Sequence, residues 1–234
     1  MADIMTMNVS IIGGRECRVF QSGDARALLV QVVSGQQAGE LESEVEQIAA
    51  SDVGFVMVAV PIADWELELM PWAEPAVSRR PEVGSGAGST LRFIVESLLP
   101  CWNGQRAGQP AVPVVLGGYS LGGLFSLWAA CQTDRFAAVA AGSPSLWAGN
   151  WPEYAATHPM LARQVYLSLG DHEERSRNKI MARVGERIRD EHDRLVRQLG
   201  GGRTMLHWEQ GGHFADPAGR MARAFSWCLK HTTE

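Results

Sequence analysis

The stretch Val112–Leu127, V-P-V-V-L-G-G-Y-S-L-G-G-L-F-S-L, decides the fold. Val112, Val114, Val115 and Leu116 make an apolar run long enough for one buried strand. Gly118-Tyr119-Ser120-Leu121-Gly122 follows at once, and Leu121 to Ala130 then keeps helical spacing without a proline. Strand, tight turn and helix form the context in which G-x-S-x-G becomes a specific signal. The turn is expected to hold Ser120 in strained backbone at the carboxyl end of the strand. Gly118 and Gly122 carry no Cβ, so strand and helix can close up around it. The Leu121 amide, at the helix N-terminus, then points to where an oxyanion would form. The alternative, a glycine-rich turn with an incidental serine, leaves the flanking strand and helix unexplained.

Outward from this centre the chain alternates strands and helices. Asn8–Ile12 and Glu16–Phe20, joined at Gly13-Gly14, read as an antiparallel pair at a sheet edge. Ala27–Val33 is nearly all apolar, as a strand buried on both faces should be. Phe55–Val60, Ala137–Ala141, Gln164–Leu169 and Thr204–Glu209 are further strands. Helices are expected at Glu40–Ala50, Leu91–Leu99, Ile180–Leu199 and Pro217–Lys230. In the third of these, Ile180, Val184, Ile188, Leu195 and Leu199 form the buried stripe. The pattern predicts an α/β fold, a mostly parallel eight-stranded sheet with helices on both faces. It is expected to form a single domain over Met1–Glu234. Ile62–Gly88 and Pro144–Arg163 are long irregular stretches after strand ends, the usual place for functional loops in such sheets.

A serine hydroxyl is a poor nucleophile at neutral pH and needs a base beside it. Of six histidines, His213 is the candidate, because Gly211-Gly212-His213-Phe214 directly follows the last strand. The imidazole in turn needs a carboxylate to orient it. Gln164–Leu169 runs through Gly170 into Asp171-His172-Glu173-Glu174. Glu173, three residues past the glycine, is the expected acid and Asp171 the alternative. The chain order is then Ser, Glu, His. A second oxyanion donor should come from the loop after Ala27–Val33, through the backbone amide of Gly35 or Gln36. Spacing for a metal site is lacking, since no second histidine lies at ligand distance from His213. No cofactor is called for.

Eight tryptophans are many for 234 residues. Trp65 and Trp72 in the first long loop, and Trp147 and Trp151 in the second, are candidates for an apolar substrate wall, or for packing the loops onto the sheet. Trp128, Trp208 and Trp227 read as core.

Composition narrows the class. The formal net charge of −5 argues against a general nucleic-acid partner. The basic stretch Arg175–Arg203 interleaves acids at helical spacing and reads as a solvated face. Four scattered cysteines without a C-x-x-C point to buried free thiols in a reducing, cytoplasmic setting. Met1–Met7 lacks the basic and apolar regions of a signal peptide, and no run of eighteen apolar residues marks a membrane span.

Gly118–Trp128, Gly142-Ser-Pro-Ser-Leu-Trp147, Leu169-Gly-Asp-His-Glu173 and Gly211–Phe214 together resemble the Putative esterase branch of the α/β-hydrolases, with its enterochelin-type and esterase D-like enzymes. Asp64-Trp65 and Pro71-Trp72 bring the chain closest to an uncharacterised bacterial subgroup of it. The likeness runs from about Val56 onward. It implies a serine hydrolase carried by Ser120 and His213, with Glu173 at the acid position and no large cap domain. It also implies that the acid is the variable member, since some siderophore esterases act with a Ser–His pair. The expected reaction is hydrolysis of a small-molecule ester through an acyl-serine. An acyltransferase, or an inactive binding protein on the same scaffold, is the alternative. A homo-oligomer is compatible with the sequence.

Overall fold

The computed structural model describes residues 6–73, 80, 82–84, 86–148 and 150–233. Met1–Met5, read above as no signal peptide, and residues 74–79, 81 and 85 of the first long loop lie outside the described residues.

One eight-stranded sheet organises them, in the order β1-β2-β4-β3-β5-β6-β7-β8. β1 (Thr6–Ile12) and β2 (Arg15–Ser22) are the antiparallel edge pair, and β2 joins β4 (Phe55–Pro61) antiparallel. β3 (Leu28–Val33), β5 (Val114–Tyr119), β6 (Ala138–Gly142), β7 (Gln164–Gly170) and β8 (Thr204–Glu209) run parallel with β4. All carboxyl ends of the parallel strands therefore meet at one edge. The apolar runs of β3 to β7 are buried because helices cover both faces.

α1 (Leu41–Ala49) and α8 (Pro217–Thr233) close one face over Leu29, Val115 and Ala140, with Phe225 of α8 packed among them. α5 (Leu121–Gln132) and α7 (Val184–Leu199) lie on the other, over Val30, Leu116, Val139 and Leu167. The helix expected at Leu91–Leu99 is longer. α3 (Ala87–Arg92) passes through a wide π-helical turn at Phe93–Leu98 into α4 (Leu99–Gln105). The wide turn ends two residues before Pro100, which has no amide to continue a regular ladder. The two long irregular stretches each hold a short helix, α2 (Trp65–Leu69) and α6 (Trp151–Thr157).

Three sequence expectations are corrected. Ile180 precedes α7 and is 46% exposed, so the buried stripe is Val184, Ile188 and Leu195. Trp208 is 37% exposed: β8 is an edge strand, and the Arg189 guanidinium sits 4.7 Å above the indole ring. Cys17, Cys131 and Cys228 are buried free thiols, but Cys101 is only half-buried. No helix among the described residues is long and apolar enough to cross a membrane.

Candidate active site

The site begins at the turn after β5. Ser120 has φ +59° and ψ −119°, a conformation that a non-glycine residue holds only when its surroundings impose it. The imposition is visible. Its amide donates to Gly142 O at 2.8 Å, and its carbonyl accepts from the amides of Gly123, Leu124 and Ser145. A Cβ on Gly118 would lie 2.6 Å from the Gly122 carbonyl carbon, so only glycine lets strand and helix meet here.

His213 is carried on the loop between β8 and α8. Gly211 has φ +95°, which permits the reversal after the strand. The loop is pinned at several points: the Gly211 amide donates to Asp171 Oδ1 (2.8 Å), the His172 amide to Gly211 O (3.2 Å), and the Tyr119 hydroxyl to His213 O (2.7 Å). The imidazole then bridges two groups, with Nε2 at 2.9 Å from Ser120 Oγ and Nδ1 at 2.7 Å from Glu173 Oε2. Asp171 does not reach the imidazole; its carboxylate is half-exposed and serves the Gly211 amide.

Glu173 sits in a short 3₁₀ turn after β7 and its side chain is 5% exposed. Oε1 accepts from the Gly170 amide (2.8 Å), Ser143 Oγ (2.8 Å) and Arg220 Nη1 (2.9 Å). Burial works to raise its pKa. The hydrogen bond and charge of His213, the Gly170 amide and the Ser143 hydroxyl outweigh it, and the carboxyl is held below its ordinary range.

Among the described residues, the amides of Leu121 and Gln36 donate to no acceptor. Gln36 and Ser120 line the same cavity, of about 220 Å³. Trp65, Phe214 and Glu40 complete its wall, and Phe214 is 85% exposed. Trp65 is brought there by α2, capped by Asp64, whose Oδ1 accepts from the Leu67 amide and whose carboxylate pairs with Arg80. Its indole lies against Gly122, 3.3 Å from where a Cβ would stand. A second cavity of about 110 Å³ lies on the other side of Ser120 and His213, lined by Ser145, Trp147, Met181 and Val184.

The four loop tryptophans thus separate. Trp65 and Trp147 line the cavities. Trp151, expected at the substrate wall, lines neither: it is 1% exposed, and its indole N–H donates to Glu191 on α7 at 3.2 Å. It packs with Trp72 around Tyr154, at ring distances of 5.9 and 5.6 Å. The cause is α6, whose first turn points Trp151 inward. Gly35 lines neither cavity.

Several residues at the site had no role assigned from the sequence. Ser145 Oγ stands 3.3 Å from Ser120 Oγ. Ser143, at φ +41°, and Tyr119 and Arg220 form a buried layer beneath the imidazole and carboxylate. Ser143 and Ser145 stood in the quoted motif Gly142-Ser-Pro-Ser-Leu-Trp147, just after β6 at the carboxyl edge, but the motif gave neither of them a role. Among the described residues no cluster of three or more His, Cys, Asp and Glu side chains suits a metal ion.

A mostly parallel eight-stranded sheet of this order, with its serine elbow after β5 and no separate cap among the described residues, defines an α/β-hydrolase. The chain belongs to the Putative esterase family, which matches residues 24–215 and so reaches further toward the N-terminus than the motifs alone suggested. It is a carboxylic ester hydrolase by that membership. No curated protein sequence matches it. Solved structures share the fold at low identity. The siderophore hydrolase EstA from Aspergillus nidulans is 19% identical with TM-score 0.69, covering 99% of this chain and 96% of that one. An IroE-like serine hydrolase from Shewanella oneidensis is 16% identical with TM-score 0.73, covering 96% and 80%. A cold-adapted esterase from an Arctic intertidal metagenomic library is 15% identical with TM-score 0.59, covering 98% and 94%.

Proposed function

We propose that the whole chain acts as one catalytic domain that cleaves small-molecule carboxylic esters through an acyl-serine. The observation that carries this is the imidazole of His213 placed between Ser120 Oγ at 2.9 Å and Glu173 Oε2 at 2.7 Å. Nε2 takes the Ser120 proton as Oγ bonds to the ester carbon. The oxyanion that develops is met by the Leu121 and Gln36 amides. The same proton goes to the leaving alkoxide as the ester C–O bond breaks. Water then repeats the sequence on the acyl-serine, with His213 taking its proton and returning one to Oγ. Glu173 holds the ring in one tautomer and stabilises its charged form.

Two cavities of unequal size flank the serine, so the two sides of the ester carbonyl are treated differently. The larger, with Trp65 and Phe214, suits an aromatic or medium-length apolar group. Glu40 at its wall disfavours anionic substrates.

A fluorophosphonate probe tests the nucleophile. The wild type is expected to take up one probe mass on the peptide holding Ser120, and labelling that persists in Ser120→Ala would overturn the assignment. Hydrolysis of an activated short ester is expected to fall by roughly 10⁴–10⁶ in that variant. A panel of aryl, alkyl and siderophore-type esters, the last included because two structural neighbours are named siderophore hydrolases, then ranks the substrates.

A further inference from the structure

Arg220 lies on the first turns of α8 with no exposed surface. A guanidinium is rarely buried this completely unless it is paired, because desolvating it is costly. Here every contact leads to the catalytic groups. Nη1 donates to Glu173 Oε1 (2.9 Å), to the Tyr119 hydroxyl (3.0 Å) and to Ser143 Oγ (3.0 Å). Nη2 donates to the carbonyls of Gln210 (3.2 Å) and Gly212 (2.9 Å), the latter one residue before His213. The Tyr119 hydroxyl passes its own proton on to His213 O, and the Ser143 hydroxyl passes its own to Glu173 Oε1. A single planar group therefore ties the acid, the histidine loop, the strand that carries the serine and the turn after β6.

We propose that Arg220 is a positioning residue for the Glu173–His213 pair: its fork fixes Oε1 so that Oε2 alone faces the imidazole, and its other edge sets the height of the His213 loop. The inference rests on the acyl-serine reading above. Two consequences follow from the geometry. A planar fork with donors on two edges satisfies carboxylate, hydroxyls and carbonyls at once, which an ammonium cannot do. In addition, the guanidinium charge shares the carboxylate with the imidazole, so it opposes formation of the imidazolium. The other titratable groups around His213 are Tyr119 beneath it, Asp171 and His172 on the loop after β7, Asp216 at the start of α8 and Glu40 across the cavity. None of them touches Glu173 Oε1.

The test compares Arg220→Met and Arg220→Lys with wild type by thermal unfolding, by kcat and KM for a neutral ester, by the pH profile of kcat/KM, and by NMR titration of the His213 imidazole. Arg220→Met is expected to keep KM within about threefold and to lose roughly a hundredfold in kcat, the scale of an ångström-level misplacement. Its acid limb and the imidazole titration are expected to move to higher pH by roughly half a unit or more, because a neighbouring cation is gone. Arg220→Lys should keep the limb near its wild-type place, since the charge remains, yet lose at least about tenfold in kcat because the fork is gone. A purely structural role predicts otherwise: lower melting temperature, kcat of the folded fraction within about threefold, and an unmoved limb. That result overturns the proposal. If Arg220→Met does not fold, Arg220→Lys decides alone, with wild-type kcat overturning the claim and a tenfold loss at unchanged KM supporting it. If the wild type hydrolyses no ester, the proposed reaction fails, and the imidazole titration still judges Arg220 independently of activity.

Discussion

Two glutamates of this protein have side chains largely withdrawn from solvent, and their surroundings pull them in opposite directions. Glu173, 5% exposed at its side chain, accepts from an amide, a hydroxyl, an imidazole and a guanidinium, and its pKa is lowered. Glu44, 4% exposed on α1, has one long hydrogen bond, from Gln31 Nε2 at 3.3 Å. Its Oε1 and the Gln31 Oε1 beside it have no partner. Burial pushes the Glu44 carboxyl up to about 8. The difference teaches that burial of the side chain does not by itself decide whether a carboxyl is charged; the donors aimed at it count as well. Four separate segments meet around Glu173 at the carboxyl edge of the sheet and supply such donors. On the face that α1 and α8 share, Glu44 is left among Leu41, Val45 and Ile48.

The comparison can be broken most directly at Glu173. Glu173→Gln keeps the shape and removes the charge. A loss of roughly 10⁴ in kcat is expected, the scale seen when a triad acid is neutralised. Stability should fall as well, by roughly 3–5 kcal/mol, because Arg220 stays buried without its anion. Steady-state kinetics and urea unfolding on one preparation measure both. A kcat within tenfold of wild type would make Ser120 and His213 a sufficient pair.

The same contrast between site and support divides the tryptophans. Trp151→Ala is expected to cost roughly 3–5 kcal/mol with the ranking of esters unchanged. Trp147→Ala should change KM or the ranking and leave the melting temperature nearly in place. An exchange of these two outcomes would reverse the assignment of Trp147 to the site and Trp151 to packing.

For Glu44 the sign of the pH dependence is the test. Its folded pKa lies above the unfolded one, so the folded state holds the proton more tightly. Stability from this group is complete below about 4.5 and is lost as pH rises through about 8. Glu173, with its pKa lowered, contributes in the opposite sense, above the ordinary carboxylate range and lost on acidification. Urea unfolding of Glu44→Gln at pH 5 and pH 9 should show little gain at the first and a gain on the order of 3–5 kcal/mol at the second, an upper bound set by a fully ionised carboxylate. Equal gains at both would mean that Glu44 is not the titrating group. The smallest effect belongs to Asp171→Asn, expected to cost less than about tenfold in kcat, since an amide oxygen can still accept from Gly211.

How much of this was legible in the sequence follows from the kind of signal each residue leaves. The serine turn was legible because three independent features coincide there: an apolar run, two glycines at fixed offsets and a helical period. His213 was legible because a glycine pair after a last strand leaves little choice of place. Glu173 could be named from its distance past Gly170, but only the structure shows that Asp171 is occupied with the Gly211 amide. Arg220 was not legible. An arginine in a helix that also carries Arg223 reads as a solvated face, and only the packing of α8 on the sheet turns it inward. Glu44 hid in the same way among Glu40, Glu42 and Glu46, which are exposed. Edge position explains Trp208: periodicity reports that a strand exists, not which strand is last.

The order in which the pieces lie along the chain has a consequence for biosynthesis. Ser120 and its strained turn are translated first, Glu173 follows about fifty residues later, and the histidine and arginine come from the last two elements. Contacts between Ser120 and His213, or between Tyr119 and Arg220, span 93 and 101 positions, separations that close late and slowly in folding. A ribosome-bound chain that has released β5 and α5 therefore carries a shaped but unarmed serine. On the acyl-serine reading, competence to acylate waits until α8 has left the exit tunnel and docked, so the serine is shaped well before it can react.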